Sequence, residues 1–475
     1  MATAAASFSL LQSLIVPVLA RIQVELDTDQ ATVTWVLTAY LLSASICTPL
    51  LGRIGDVVGK VRMLVITMCA LVVGSLMAAF APSIGWLIAA RVVQGAGGGV
   101  LPLSFGIIRD EFGRRMPTAL SVIASLTAAG FGIGVVVAGP IVDGLGYRWL
   151  FLLPMFATAA AALAALLFVP ESPVRTAARL PVLPALLLSG WLVALLLALS
   201  KGNAWGWGSA RVLGLLAAAA VLLVTWVRTE TPAPVPMIDM RMMRRRGVWT
   251  TNLVSGFVGF AMFASFGFLP QFLQTPSEAG YGFDATISES GWLLLPSAVG
   301  SFLVGFATAR LVRALGARVV VVTGALAAAS TYFSLSLLHD ETWQLYAATT
   351  VQGLGSGLIF SSLAGVVIAS VPPEQTGVAN GMNANIRTIG GAVGSAVMAG
   401  IVTAHVLPSG IPEERGYTLG FAVIGVVMLL AALSAAFLPD VRHPGGPPVP
   451  QGDRKVGPAS RKVRPASRKV PATPA

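Results

Sequence analysis

Runs of about twenty apolar residues recur along the chain, each closed by a short polar or charged stretch, and about twenty residues of helix cross the roughly 30 Å of hydrocarbon in a bilayer. Fourteen such windows predict fourteen spanning helices, centred near Ile15, Leu42, Val72, Gly97, Gly132, Ala159, Leu192, Ala218, Gly259, Gly300, Ala327, Ser356, Gly394 and Val426. Glycine clusters such as the one from Gly95 to Gly99 need not end a span, because small residues let spanning helices approach closely. The first window, Met1 to Ala20, lacks a basic leader and a cleavage site, so it reads as a first span and not as a removed signal; its abrupt beginning leaves an upstream start codon open.

Composition strengthens this reading. Of 475 residues 55% are apolar and 11% charged, against about a quarter charged in soluble domains, and the mean hydropathy is +0.81. A soluble enzyme is excluded on these grounds. The net charge of +11 does not point to nucleic acid, since the bases lie between spans and in the tail. Arg109, Arg114, Arg115, Arg175, Arg179, Arg228, Arg241, Arg244, Arg245, Arg246, Arg310, Arg313 and Arg318 share one side with the loop Gly52 to Arg62, while Glu25, Asp27, Asp29, Glu278, Asp284, Asp340, Glu341, Glu413 and Glu414 fall on the other. The positive-inside rule makes the basic side cytoplasmic and, with an even number of spans, puts both termini there. Cys47 and Cys69 lie inside spans, away from His and from each other, and read as packing residues with no disulfide and no metal. His339, His405 and His443 lie in loops or tail, and no His, Asp or Cys cluster suggests an integral-membrane enzyme.

The chain also repeats itself. Val93-Gln94-Gly95-Ala-Gly97-Gly-Gly99 in the fourth span is echoed by Val351-Gln352-Gly353-Leu-Gly355-Ser-Gly357 in the twelfth, and Gly132 by Gly390. Arg53-Ile-Gly-Asp-Val-Val-Gly59 is echoed by Arg310-Leu-Val-Arg-Ala-Leu-Gly316, with Arg313 standing where Asp56 stands. Spans 1 to 6 therefore match spans 9 to 14, and the two near Leu192 and Ala218 are an insert. The predicted organisation is an N-terminal six-helix bundle over residues 1–170, two inserted helices with linkers over 171–246, a C-terminal six-helix bundle over 247–440, and a basic, Pro- and Gly-rich disordered tail over 441–475. The tail reads either as a solvated segment that reinforces topology or as an attraction to anionic lipid.

At this point the chain resembles the major facilitator superfamily, specifically its fourteen-helix drug:proton antiporter branch, as far as Leu438. Gly52-Arg-Ile-Gly-Asp56-Val-Val-Gly59-Lys60-Val-Arg62 resembles that family's motif A, Arg91-Val-Val-Gln94-Gly95 its motif B, and Gly134-Val-Val-Val-Ala-Gly139-Pro140-Ile-Val-Asp143-Gly144 its antiporter motif C. The resemblance implies an all-α integral membrane fold of two six-helix bundles plus two inserted helices. It implies a multidrug or antibiotic exporter in a bacterial plasma membrane, working by alternating access and driven by the proton gradient with no cofactor. The expected partners are a small-molecule substrate and the bilayer, without nucleic acid; the oligomeric state stays open, with function expected of the monomer.

Each motif carries two readings. Asp56, with Arg53, Lys60, Arg62 and Arg115 near it, is either a solvated loop acid or, as the resemblance favours, a latch whose ion pairs hold the halves together in one state; exposed pairs contribute only about 0–1 kcal/mol, so a latch needs burial or a helix N-terminus. Arg91, and edge-on Arg387, place a base at membrane depth, costing at least about 2.5 kcal/mol. The second half has Thr349 at the position of Arg91, so the shared fold does not demand the base. The resemblance implies proton coupling or ordering of the cavity for Arg91; the alternative is an arginine bonded to backbone carbonyls. Gly130, Gly132, Gly134 and Gly139 with Pro140 give either plain small-residue packing or, by resemblance, a surface controlling leak and conformational change.

The first span departs from the branch by carrying Gln12, which cannot titrate, where an aspartate is common, and motif C ends in Asp143-Gly144 where paired glycines are more usual. Proton coupling then falls to Arg91, Asp143 or Glu289, with Asp56 and Asp110 inside. For substrate, Gln12, Trp35, Tyr40, Gln94, Phe257, Phe260, Gln271 and Trp292 are the candidates, with Thr38, Phe263, Phe266, Phe268, Phe272 and Phe302 near them. An aromatic, weakly polar cavity suits apolar or cationic-aromatic compounds, although each phenylalanine alone can equally face lipid or core. The rival functions are an importer or facilitator of a small metabolite and a membrane protein that binds without transporting.

Overall fold

The computed structural model describes residues 2–112, 116–171, 182–233, 236, 238–372, 376–404, 406–407 and 410–440. Arg115, His405 and the tail 441–475 lie outside them. Fourteen long helices follow one another: α1 (Thr3–Glu25), α2 (Gln30–Val58), α3 (Lys60–Ala79), α4 (Ile84–Ile108), α5 (Met116–Leu145), α6 (Trp149–Phe168), α7 (Val182–Trp205), α8 (Ala210–Glu230), α9 (Arg246–Gln274), α10 (Ile287–Leu315), α11 (Ala317–Leu337), α12 (Thr342–Ser370), α13 (Thr376–Thr403) and α14 (Glu414–Ala435). Thirteen of them are long and apolar enough throughout their described residues to cross a bilayer, and α5 carries a shorter apolar stretch, Ile133–Leu145. The only extended pairing among the described residues is a single bridge, Val406 to Pro412. The all-α fold expected from the apolar windows is the fold found.

Two spans contain local distortions that the sequence explains. Pro17 sits in a tight 3-10 turn, Val16–Val18, inside α1. In α4 the run Gly95–Gly99 tightens to 3-10 geometry without ending the span, and it lies flat against α2: a Cβ on Gly98 would come within 2.6 Å of the Ala44 carbonyl. The echo in the second half, Gly353 to Gly357, stays α-helical within α12.

Each half uses glycines of its fifth helix to seat its first. In the N-terminal half a Cβ on Gly130 of α5 would meet the Ala6 carbonyl of α1 at 2.8 Å, and one on Gly134 would strike Ser13. In the C-terminal half Gly390 and Gly394 of α13 lie against the backbone of α9 at Gly256 and Phe260. The C-terminal core runs through Phe268, Phe272, Tyr332, Tyr417 and Phe421, where Phe272 is ringed by aromatic neighbours within 5.3–6.3 Å. The inserted pair α7 and α8 stands outside the two bundles; α7 leans on α2 and α13 and is tied by Asn203 to the Gly400 carbonyl.

Helices α2 and α3 turn at Gly59 and helices α10 and α11 at Gly316, both at positive φ (124° and 85°). The chain runs up and down, so these turns share one end of the molecule, called below the Asp56 end. Asp29, Asp143 and Thr286 share the other, the Asp143 end.

Candidate functional site

At the Asp143 end the halves touch closely. Gly139 of α5 lies so near Ser288 of α10 that any Cβ would strike its backbone, and the Ser288 hydroxyl donates to the Asp143 carboxylate. A Cβ on Gly291 of α10 would meet the carbonyls of Val135 and Val136 at 3.3 Å. The Gln30 amide donates to the Gln271 carbonyl oxygen across the interface, and Gln274 Nε2 donates to the Pro17 carbonyl at 2.8 Å. Deeper in, the Thr38 and Ser395 hydroxyls are 3.3 Å apart. Pro140 is exposed beside this seam.

At the Asp56 end the halves leave a cavity of about 180 Å³, with Thr48, Gly52, Asp56 and Lys60 on one wall and Gly381 and Met382 of α13 on the other. Charges on that wall differ from the expected latch. Asp56 is at the rim, its side chain 34% exposed and 3.7 Å from both Arg53 and Lys60. The buried pair is Lys60 with Asp110, in the last turn of the helix that carries α4 on to Phe112, at 2.7 Å with side chains 4% and 6% exposed. Gly106 makes room for the lysine stem: a Cβ there would meet Lys60 Cδ at 2.9 Å. All these pairs are made within the N-terminal half, and among the described residues no ion pair crosses between the halves at this end. The reason is geometric, since Lys60 opens α3 and faces its own neighbour α4.

Gly59 and Arg62 have a partner that the sequence reading missed. Glu171, just past α6, accepts the N–H groups of Val61 and Arg62 at 3.1 and 3.0 Å, which are free donors at the start of α3. A Cβ on Gly59 would lie 2.8 Å from that carboxylate. Asp440, just past α14, takes the same place beside Gly316. The signal was present as a second echo, Phe168-Val-Pro-Glu171 against Phe437-Leu-Pro-Asp440.

Arg91 is wholly buried in α4. Its Nε donates to the Val36 carbonyl at 3.0 Å, its Nη1 to Gln94 Oε1 at 2.7 Å, and its guanidinium lies 4.2 Å from the centre of the Tyr40 ring. Gln94 Nε2 in turn donates to the Ser75 hydroxyl at 2.9 Å. The carbonyl bond matches the structural alternative. Arg91 Nη2 and the Tyr40 hydroxyl, both buried, have no hydrogen-bond partner among the described residues, which leaves the cluster polar capacity to spare.

The remaining candidates do not form one chamber. Glu289 is exposed and closes a capping box, accepting the Thr286 N–H and hydroxyl at 2.8 and 2.9 Å. Gln12 is buried in α1, Trp35 is half-buried, and Phe257 and Phe260 are half-buried against the C-terminal core. Trp292 is 53% exposed on α10. The structure thus brings together Tyr40, Arg91 and Gln94, places Gln271 in the cross-half seam, and scatters the phenylalanines.

Two bundles related by a repeat, in close contact at one end and leaving a cavity between them at the other, define a membrane transporter. The Major Facilitator Superfamily profile matches residues 1–281 and 251–471, and the chain belongs to that family. The Multidrug resistance protein B homolog of Mycobacterium tuberculosis is 30% identical over 392 residues, covering 80% of this chain and 71% of that protein. The Methylenomycin A resistance protein of Streptomyces coelicolor is 30% identical, covering 88% and 86%, and a Puromycin resistance protein of Streptomyces alboniger 29%, covering 89% and 86%. Among solved structures, a nucleoside transporter superposes with a TM-score of 0.62 at 16% identity, covering 91% of this chain and 98% of that one, a likeness of fold alone.

Proposed function

We propose that this chain exports hydrophobic or cationic-aromatic, drug- or antibiotic-like molecules across the plasma membrane by alternating access, in exchange for protons. The observation that carries the reading is the asymmetry between the two ends: close contacts between the halves at the Asp143 end and a cavity between them at the Asp56 end. With the basic loops inside, the Asp56 end and both termini are cytoplasmic, and the arrangement is the one that loads substrate from within. The names of the relatives, multidrug and antibiotic resistance proteins, support the substrate class. Proton exchange rests on the likeness of Gly134 to Gly144 to the antiporter motif.

The geometry supplies the moving parts. Gly139, Gly291 and the Ser288 backbone let α5 and α10 pivot in close contact, while release outward requires the Gln30–Gln271 and Gln274–Pro17 bonds to part. Four neutral groups cost less to separate than buried charges, which suits a seal that opens each cycle. Lys60–Asp110 stays within its half and keeps α3 and α4 moving as one.

Inverted vesicles with an acid interior should lose their gradient when puromycin, ethidium or tetraphenylphosphonium is added. No collapse with any member of a broad panel of antibiotics and lipophilic cations sinks proton-coupled drug export. Arg91→Ala should abolish export while the protein still inserts and folds; surviving transport makes Arg91 a structural residue only.

A further inference from the structure

We infer that Asn385 of α13 is a substrate-recognition residue, hydrogen-bonding a carboxamide or similar paired donor and acceptor on a compound that enters from the cavity at the Asp56 end. This rests on the export reading above.

Two asparagines sit two residues apart on α13, about 200° around the helix from each other, and their fates differ. Asn383 faces α9 and is satisfied there: its Oδ1 accepts the Ser255 hydroxyl at 2.8 Å and its Nδ2 donates to Asn252 Oδ1 at 3.0 Å. Asn385 faces away from α9. The residue is 1% exposed, and among the described residues neither Nδ2 nor Oδ1 has a hydrogen-bond partner. A buried amide offers two donors and an acceptor, and leaving all of them unpaired is costly, so the position is held by something other than packing.

Its place in the fold says what can reach it. Along the same stripe of α13, a Cβ on Gly381 would lie 3.7 Å from Pro102 of α4, and Ala392 and Ala396 pack into the N-terminal core beside Leu37 and Leu41. Asn385 therefore points between the halves. Gly381 and Met382 line the cavity, and Asn385 follows one turn deeper along α13, behind its inner wall, where a substrate advancing from the cavity between the halves meets it. An amide there donates to the carbonyl of a substrate carboxamide or accepts from its N–H, and gives nothing to a cation that lacks donors and acceptors. A site built to hydrogen-bond its ligand discriminates far more sharply than an apolar wall.

The test compares puromycin, which carries a carboxamide, with tetraphenylphosphonium, which has no hydrogen-bonding group. With full-length protein in liposomes, Asn385→Leu should reduce puromycin export by about tenfold or more in kcat/KM while leaving tetraphenylphosphonium export within about twofold. A merely structural asparagine lowers both alike or neither, and either outcome overturns the assignment. If the unaltered protein exports neither compound, the export reading fails on its own account, and a second variant still decides. In a background with Cys47 and Cys69 replaced, Asn385→Cys should react with N-ethylmaleimide and be shielded by puromycin; absence of labelling, or labelling that puromycin does not slow, overturns the proposal.

Discussion

The hairpin of α2 and α3 and the hairpin of α10 and α11 are the same object built twice. Adding 257 to Asp29 and Gly59 gives Thr286 and Gly316, and both first helices, Gln30–Val58 and Ile287–Leu315, are 29 residues long. Each is capped at its start by the Asp29 or Thr286 side chain, and each turns on one glycine at positive φ facing a carboxylate from the end of its bundle, Glu171 or Asp440. What differs is charge. The first hairpin carries Asp56 and the buried Lys60–Asp110 pair beside the cavity, while the second has Ala317 after its hinge and an exposed Arg313. The repeat supplies the hinge, and among the described residues it is the first half that sets a buried ion pair beside it.

Removing that chemistry should have the largest effect. Asp110→Leu alone leaves Lys60 only the rim carboxylate of Asp56 at 3.7 Å and should destabilise the protein by up to about 3–5 kcal/mol, whereas the double variant with Lys60→Met should recover most of this, because a buried pair replaced by apolar side chains is often neutral. Thermal midpoints of the purified protein check it. Equal midpoints for single and double variants would mean that the pair is wetter than its 4% and 6% exposures indicate.

The hinges come next. Gly59→Ala and Gly316→Ala each force an L side chain into a backbone region it avoids and push it against a carboxylate, costing roughly 1–3 kcal/mol in both halves. Transport should separate them: at matched stability, export falls more for Gly59→Ala, whose turn borders the cavity, than for Gly316→Ala. Identical transport losses would show that the two hinges move alike and that the charges beside one of them are incidental.

The hinge and the number of helices were legible because backbone constraint and bilayer length write themselves locally. Glycine at a required positive φ and twenty apolar residues need no knowledge of tertiary contact. The polar partners were not legible in the same way. Arg91 was marked as costly, but Tyr40 below its guanidinium and the Val36 carbonyl come from α2, more than fifty residues away. Asp56 drew attention as the acid of the loop, yet the acid that pairs in the dry interior is Asp110, on the next helix but one. Phenylalanines in α9 look like one stripe on paper; helical twist sends Phe268 and Phe272 into the C-terminal core and Phe263 toward Gly391 and the opposite half. Asn385 was passed over because a lone asparagine in a span becomes informative only once its neighbour Asn383 is seen to be satisfied.

The helix caps at the Asp143 end give the smallest and most selective contrast. Asp29→Ala and Thr286→Ala should each cost about 0.5–1 kcal/mol, the usual worth of a lost N-cap at an exposed helix start. They should part company in acid. Burial alone pushes the Asp29 carboxyl up, but the Thr32 and Ala31 N–H groups, the Thr32 hydroxyl and the charge of Lys201 outweigh it and hold the group below its ordinary value. A carboxyl depressed in the folded state stabilises fully above its unfolded pKa of about 3.9 and loses that contribution as pH falls through the lower folded value. The stability gap between the unaltered protein and Asp29→Ala should therefore hold constant from pH 7 to about 5 and narrow below about 4, read as the difference in thermal midpoint across a pH series. A gap that stays unchanged down to pH 3 would mean that the neutral carboxyl caps α2 as well as the carboxylate does, as a hydroxyl caps α10, and the two hairpins would then differ in charge at the Asp56 end alone.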